Sequence, residues 1–98
     1  MKRIYKYPIM CIDVAACQEI EINAGAGILS AGRDPNGDIC VWAMIEDTSP
    51  IVKKNIYCIG TGWPLDLIFT NGESVKFIDT IAEGPYMWHV FYGEDRYE

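Results

Sequence analysis

The stretch ILSAGRDPNGDICVWAMIE, residues 28–46, decides the fold of this 98-residue chain. Its centre, DPNG at 34–37, has the composition of a tight turn, because aspartate can cap it, proline presets φ at the second position and glycine closes it. Apolar and β-branched residues flank this turn on both sides. The pattern predicts a β-hairpin that pairs residues 28–33 with residues 39–46.

Alternation of apolar and polar residues continues on both sides of this hairpin. It predicts further strands at 3–11, 18–23, 52–59, 76–81 and 86–92. Pro8 cannot donate to a ladder, so the first strand is expected at a sheet edge or bent at that residue. The last strand is apolar on both faces, which predicts a central strand or one covered by a partner chain. The predicted fold class is all-β, mainly antiparallel, as one small oligomeric domain over residues 1–98.

Three segments carry weaker patterns. Residues 13–17 could form a single helical turn, which is too short to assign from sequence. Residues 65–74 are consistent with a short helix or with a strand that turns back through Asn71-Gly72, and the sequence does not separate the two. Residues 93–98 are a charged tail that is expected to fray.

Composition limits the classes of partner. The net charge is −6, from eight basic and fourteen acidic residues, which argues against wrapping DNA or RNA because phosphate neutralisation requires a positive surface. A small nucleotide is still possible, since backbone N–H groups and one or two cations can bind it. No apolar run approaches the roughly 18 residues of a membrane span, so we expect a soluble, cytoplasmic protein with no membrane partner.

The cysteines and the single histidine give no metal-binding pattern. The four cysteines lack C-x-x-C spacing, and buried, reduced thiols of a cytosolic protein are the expectation. His89 lies between bulky residues of a predicted strand, which favours a packed or interface histidine over a general base. We therefore predict no catalytic residue, no metal and no cofactor.

The segment GTGWP at 60–64 follows an apolar, strand-like run and is the candidate ligand loop. Glycines let backbone N–H groups approach a ligand, and tryptophan offers a face for stacking on a flat ring. A tight turn is the commoner reason for glycines after a strand. The tyrosines and the lysine of the first strand could stack on a ligand and meet a phosphate, whereas Arg33 is equally consistent with a solvated charge. The predicted ligand-binding residues are Tyr5, Lys6, Tyr7, Arg33, Gly60, Thr61, Gly62, Trp63 and Pro64.

Short motifs follow one another along most of the chain: YKYP at 5–8, ILS at 28–30, CVWA at 40–43, GTGWP at 60–64 and HVF at 89–91. In these motifs the chain resembles a family of small phage-encoded proteins. That family's usual pattern is K-Y-P, then I-L-S-V with a turn and L-W-A, then G-T-G-H-P and a closing H-V-F. This chain differs at Trp63, where the family usually has histidine, and in residues 66–74, which look like an insertion. A histidine-based mechanism at that loop is therefore not expected here.

The family is similar to phage sponge proteins that bind cyclic dinucleotides and so blunt CBASS, a bacterial defence that signals with them. This resemblance implies a non-enzymatic binder, active in the cytoplasm of an infected bacterial host, with pockets at or near the interfaces of a homo-oligomer, a dimer or tetramer. In the hypothesis that we build on it, Trp63 stacks on a base, the backbone N–H groups of residues 60–62 meet phosphate or base edges, and Lys6 supplies charge. Two alternatives stay open: a small oligomeric adaptor that binds a host or phage protein through its aromatic face, and a small hydrolase that uses His89.

Overall fold

The computed structural model describes residues 1–11, 17–69 and 72–97. Within these residues the chain forms two antiparallel sheets and one short helix, so the predicted all-β fold is confirmed. The elements are β1 (Lys2–Pro8), β2 (Cys17–Asn23), β3 (Gly27–Arg33), β4 (Ile39–Glu46), β5 (Ile51–Gly60), α1 (Leu65–Ile68), β6 (Lys76–Glu83) and β7 (Tyr86–Arg96). Among the described residues, none forms a helix long and apolar enough to cross a membrane.

The predicted hairpin is confirmed. β3 and β4 pair antiparallel in register from Arg33 opposite Ile39, with a bulge between Ile28 and Ser30. The turn between them is held by Asp34, whose carboxylate accepts the backbone N–H groups of residues 36 and 38, each at 2.9 Å. Gly37 has a φ of 84°, which glycine adopts without steric cost.

The strands form two separate sheets, with the strand orders β1-β4-β3 and β2-β5-β7-β6. β1 lies at a sheet edge and ends at Pro8, as the missing proline N–H requires, so it stops short of the predicted boundary at Cys11. β7 lies between β5 and β6, which confirms the prediction of a central strand. Its apolar side chains are therefore covered, at least in part, within the chain.

The core lies between the two sheets. Inward-facing side chains of both sheets form the larger cluster, and among them Val41, Ile56 and Val90 are fully buried. β2 shows the predicted alternation, because Ile22 is buried while Glu19 and Glu21 remain exposed. At about 25 cal/mol per Å² of apolar surface removed from water, such residues supply most of the stabilisation that a small domain needs.

The segments with weaker patterns have different outcomes. Residues 65–68 form the short helix α1, so the helical alternative is confirmed for them and the hairpin alternative is wrong there. Asn71, the first residue of the predicted return turn, lies outside the described residues. The predicted helical turn at 13–17 also falls on residues that are not described, except for Cys17, which begins β2.

In the charged carboxyl-terminal segment, which was predicted to fray, residues 93–96 belong to β7. The Asp95 carboxylate lies 2.9 Å from the ammonium of Lys54, whose side chain is buried. Arg96 forms an ion pair with Glu19 on β2. A charged segment is thus ordered by specific partners on neighbouring strands, which its composition alone did not reveal.

Candidate functional site

The candidate loop is a tight turn that closes β5. The Trp63 backbone N–H donates to the Gly60 carbonyl oxygen at 3.1 Å, and Gly62 has a φ of 89°. A four-residue turn with positive φ at its third residue is a type II turn, which strongly favours glycine at that position. The second glycine of the motif is therefore explained by local backbone geometry.

Gly60 is needed for a different reason, which is the close packing of Trp63. A Cβ atom built at residue 60 would lie 2.7 Å from Trp63 Nε1 and 2.8 Å from Cε2. The Trp63 indole also meets the ring of Trp88 edge to face, with centroids 5.7 Å apart. The tryptophan is half-buried against the core, so only part of its ring remains for a ligand.

A cavity of about 200 Å³ lies beside this turn, on the face of the four-stranded sheet that points away from the other sheet. It is lined by Ile59, Gly60, Thr61, Gly62, Trp63, Leu65, Phe77, His89 and Phe91. Phe77 and Phe91 stand on adjacent strands in register, with ring centroids 5.5 Å apart. The wall of the cavity is therefore largely aromatic.

His89 supplies the polar part of this wall. Its Nε2 atom lies 2.6 Å from the Thr61 hydroxyl and its Nδ1 atom lies 3.2 Å from the Thr80 hydroxyl. A hydroxyl can both donate and accept, so the pair of threonines holds the ring in either tautomer. The imidazole is fixed in orientation, with one edge of the cavity able to form hydrogen bonds.

Lys6, which was predicted to bind ligand, compensates a buried charge within the chain. Its ammonium donates to Asp34 Oδ2 at 2.7 Å, and the Asp34 side chain is only 2 % exposed. This contact holds the pKa of Asp34 below its usual value, and the same hydrogen bond raises the pKa of Lys6. Lys6 does not line the cavity beside the 60–63 turn.

Arg33 is likewise engaged within the chain. Its guanidinium donates to the Gly37 and Ala82 carbonyl oxygens at 2.8 and 2.9 Å, and it lies 3.6 Å from a Glu83 oxygen. These contacts link β3 of one sheet to β6 of the other. Arg33 therefore joins the two sheets and does not line the cavity.

The two predicted tyrosines of β1 have different surroundings. Tyr5 is exposed, whereas Tyr7 is half-buried against the smaller core cluster, and burial raises its pKa. Neither lines the cavity, and neither does Pro64, the residue before α1. Of the predicted set, the structure brings together Gly60, Thr61, Gly62 and Trp63.

Sequence reasoning missed the aromatic wall formed by Phe77 and Phe91. Strand alternation already placed His89 and Phe91 on one face of the last strand. The signal that could have found the site is the pairing of this strand with its predecessor, because the hairpin register sets Phe77 opposite Phe91. In the described ranges 1–11, 17–69 and 72–97, no three His, Cys, Asp or Glu residues come together as metal ligands.

Comparison with known proteins assigns the chain to a family. No curated protein and no solved structure matches the chain. One family model, described as a domain of unknown function, DUF7352, matches residues 1–98. Because the match spans the whole length, the chain belongs to the DUF7352 family.

Proposed function

We propose that this protein binds a cyclic dinucleotide signal and holds it without cleaving it, as a phage-type sponge that blunts CBASS. The observation that carries the proposal is the aromatic cavity beside the 60–63 turn, with hydrogen-bonding groups at one edge. The motif resemblance supports the same ligand class. Under this proposal the protein acts in the cytoplasm of an infected bacterial host.

The size of the cavity suits one base. Its volume of about 200 Å³ is below the roughly 300–1,000 Å³ typical of pockets that enclose a whole small molecule. Phe77 keeps 55 % of its surface exposed at this wall, so its ring is available for stacking. Stacking on an aromatic side chain is worth about 1–3 kcal/mol per base.

The Thr61 hydroxyl, which His89 holds in place, would read the polar edge of that base. Both ring nitrogens of His89 already contact threonine hydroxyls, which suits a fixed hydrogen-bonding group better than a group that must exchange protons with a substrate. A hydroxyl within hydrogen-bond reach of an imidazole is also the arrangement of a nucleophile with its general base, so the hydrolase alternative is tested directly below. The basis for proposing binding without cleavage is the motif resemblance.

The rest of the ligand would lie outside the cavity, against a second copy of the chain. Among the described lining residues there is no lysine or arginine to meet a phosphate. The rim is apolar, because Leu65 and Phe77 are exposed there and the adjacent α1 exposes Leu67. We therefore propose a homo-oligomer, a dimer or tetramer, whose interface completes the site.

The test is calorimetry with a panel of cyclic di- and trinucleotides, followed by denaturation of the complex and mass spectrometry of the released ligand. We expect one nucleotide to bind and to be recovered intact. Phe77→Ala should weaken its binding about 5- to 150-fold, which corresponds to the loss of one stacked base. Tyr86→Ala is the matched control, because Tyr86 is also 55 % exposed and stacks on Trp88 but does not line the cavity.

Two results would contradict the proposal. If no nucleotide of the panel binds, cyclic nucleotides are not the ligands. Recovery of a cleaved nucleotide would favour the hydrolase alternative. In the second case His89→Ala should abolish cleavage. Equal losses of affinity in Phe77→Ala and Tyr86→Ala would show that the cavity wall is not the contact.

The adaptor alternative is favoured by a different surface. On the three-stranded sheet, Ile4 and Met44 are paired in register and exposed, and Leu29 lies with Met44 along the same groove. An exposed apolar patch on a small protein is typical of an interaction site. A host or phage protein captured by the wild type and by Phe77→Ala, but lost in Met44→Lys, would support this function.

A further inference from the structure

Two of the four cysteines are in direct contact. The Sγ atoms of Cys11 and Cys58 lie 2.7 Å apart, and both thiols pack against the larger core cluster. Cys58 is fully buried on β5, whereas Cys11 is half-buried in the segment that follows β1. An accessible thiol therefore lies beside a protected one, between the two sheets.

We propose that Cys11 and Cys58 form a redox modification site, at which hydrogen peroxide converts the two thiols into an intramolecular disulfide. This inference is independent of the ligand proposed above. Thiols stay reduced in a cytosolic environment, and cytosolic disulfides are usually transient and redox-sensing.

The two sulfur atoms are already near bonding distance, at 2.7 Å. A disulfide bond is about 2.05 Å long, so the two sulfurs must approach each other by roughly 0.7 Å. Cys11 lies beyond the end of β1, in a segment held by the Ile9 N–H on the Ile39 carbonyl oxygen and by the Gln18 side chain on the backbone of Met10. Because Cys11 itself lies outside the strand ladders, its side chain can make this adjustment with β5 left in place.

The other two cysteines have different surroundings. Cys17 is exposed at the start of β2. Cys40 is buried, with its Sγ atom 3.9 Å from a carboxylate oxygen of Asp34, and burial and the nearby negative charge raise its pKa. Neither is in contact with another thiol in the part of the chain that the structure describes. A selective 11–58 link is thus distinguishable from general oxidation.

The reactivity of the pair follows from its hydrogen bond. The Cys58 thiol lowers the pKa of Cys11 by hydrogen bonding to its thiolate, whereas the neighbouring Cys11 and burial raise the pKa of Cys58. Cys11 is the nucleophile by this argument, since the thiolate is the reactive form.

The proposed chemistry has two steps. The Cys11 thiolate attacks one oxygen of peroxide, the O–O bond breaks, and Cys11 sulfenic acid and hydroxide form. The Cys58 sulfur then attacks the sulfenic sulfur, the S–O bond breaks, and the oxygen leaves as water with the thiol proton. In total two thiols lose two electrons and two protons, and one peroxide becomes two waters.

The test is peroxide treatment of the purified full-length chain, followed by intact mass, thiol counting and peptide mapping. We expect a loss of about 2 Da, as disulfide formation requires, and a link between Cys11 and Cys58 in the monomer. The map uses trypsin together with a protease that cleaves before aspartate, because trypsin alone leaves Cys11 and Cys17 on one peptide and Asp13 lies between them. The oxidised form should unfold at a higher temperature than the reduced form, because the link closes a loop across a separation of 47 residues.

Cys17→Ser is the matched control and should retain the mass loss and the link. Cys11→Ser should lose both while remaining folded, because Cys11 is only half-buried. A link that involves Cys17 in the wild type, or an unchanged mass after peroxide treatment of the folded protein, would overturn the proposal. The wild-type peptide map decides this even if a variant fails to fold.

Discussion

Charged side chains stabilise one region of this molecule, and aromatic side chains line a cavity in another. At the corner of the three-stranded sheet, Lys6 neutralises a buried aspartate and Arg33 links the two sheets. At the outer face of the four-stranded sheet, Phe77, Phe91 and part of Trp63 line a cavity that has no lysine or arginine among its described residues. The sequence predicted one site in which rings and cations act together.

The difference between these two regions indicates which contacts a ligand could form without breaking contacts of the fold. A phosphate that recruits Lys6 must compete with Asp34 and leave a carboxylate buried without its partner, which costs more than surface solvation returns. A base that enters the cavity displaces no such contact. Under the proposed function, ligand recognition by one chain would rest on stacking, while Lys6 and Arg33 stabilise the fold.

The largest effect is expected where a cation is most deeply engaged. The Lys54 ammonium is buried beneath the ring of Tyr92, donates to the Gly93 carbonyl oxygen and lies 2.9 Å from Asp95 Oδ1, a close charge contact without hydrogen-bond geometry. Asp95→Ala leaves this charge without its partner and should cost about 3 kcal/mol, the lower end for a broken buried pair, because Asp95 is 19 % exposed. Urea denaturation measures the loss.

The control is Glu94→Ala, whose side chain is exposed on the same strand. It should change the unfolding midpoint little. Adding Lys54→Met to Asp95→Ala should restore part of the stability, since the uncompensated ammonium is removed. If Asp95→Ala were no more harmful than Glu94→Ala, the carboxyl-terminal segment would not be an integral part of the fold.

The next effect concerns the turn beside the cavity. Gly60→Ala places a Cβ atom 2.7 Å from Trp63 Nε1, so the indole must move. We expect a loss of about 1–3 kcal/mol, typical of overpacking, with a shift in tryptophan fluorescence. Gly27→Ala is the matched control, because a Cβ there meets nothing within 4 Å. Equal stability of the two variants would show that Trp63 does not require a glycine at residue 60.

Local patterns predicted most of the fold. The 34–37 turn, the alternation in residues 18–23 and the apolar last strand are short-range signals, and each is confirmed by the strand pairing. The end of β1 was predicted at Cys11, three residues beyond its observed end at Pro8, because the apolar–polar alternation continues past the end of the strand.

The candidate site was only partly predictable, because partners distant in sequence decide it. Lys6 and Asp34 are 28 residues apart, and a salt bridge between two strands leaves no local pattern. The two turn glycines line the cavity, and each also has a structural reason: Gly62 adopts a positive φ and Gly60 makes room for Trp63. Predicting the cavity wall would have required the pairing register of β6 and β7, and alternation alone does not determine that register.

A smaller effect tests the role of Lys6 directly. Lys6→Met should lower the melting temperature by roughly 4–8 °C, a typical response of a domain this size to the loss of one favourable contact. Affinity for a nucleotide that binds the wild type should stay unchanged, because Lys6 does not line the cavity. Thermal melts and calorimetry on the same sample separate the two roles. A large loss of affinity without destabilisation would instead assign Lys6 to the ligand.

The smallest effect is the pH dependence contributed by Asp34. The Lys6 ammonium and backbone N–H groups hold the pKa of Asp34 below its ordinary value of 3.8. Since the folded state then binds this proton more weakly than the unfolded state, the stabilisation is complete above pH 3.8 and is lost as the pH falls through the lower folded value. Asp34→Asn cannot ionise, so its deficit relative to wild type should be largest near neutral pH and should shrink below 3.8. Urea midpoints across this range measure the deficit, with exposed Asp38→Asn as control. A deficit that stays constant with pH would mean that the charge of Asp34 contributes nothing and that its hydrogen bonds alone hold the turn.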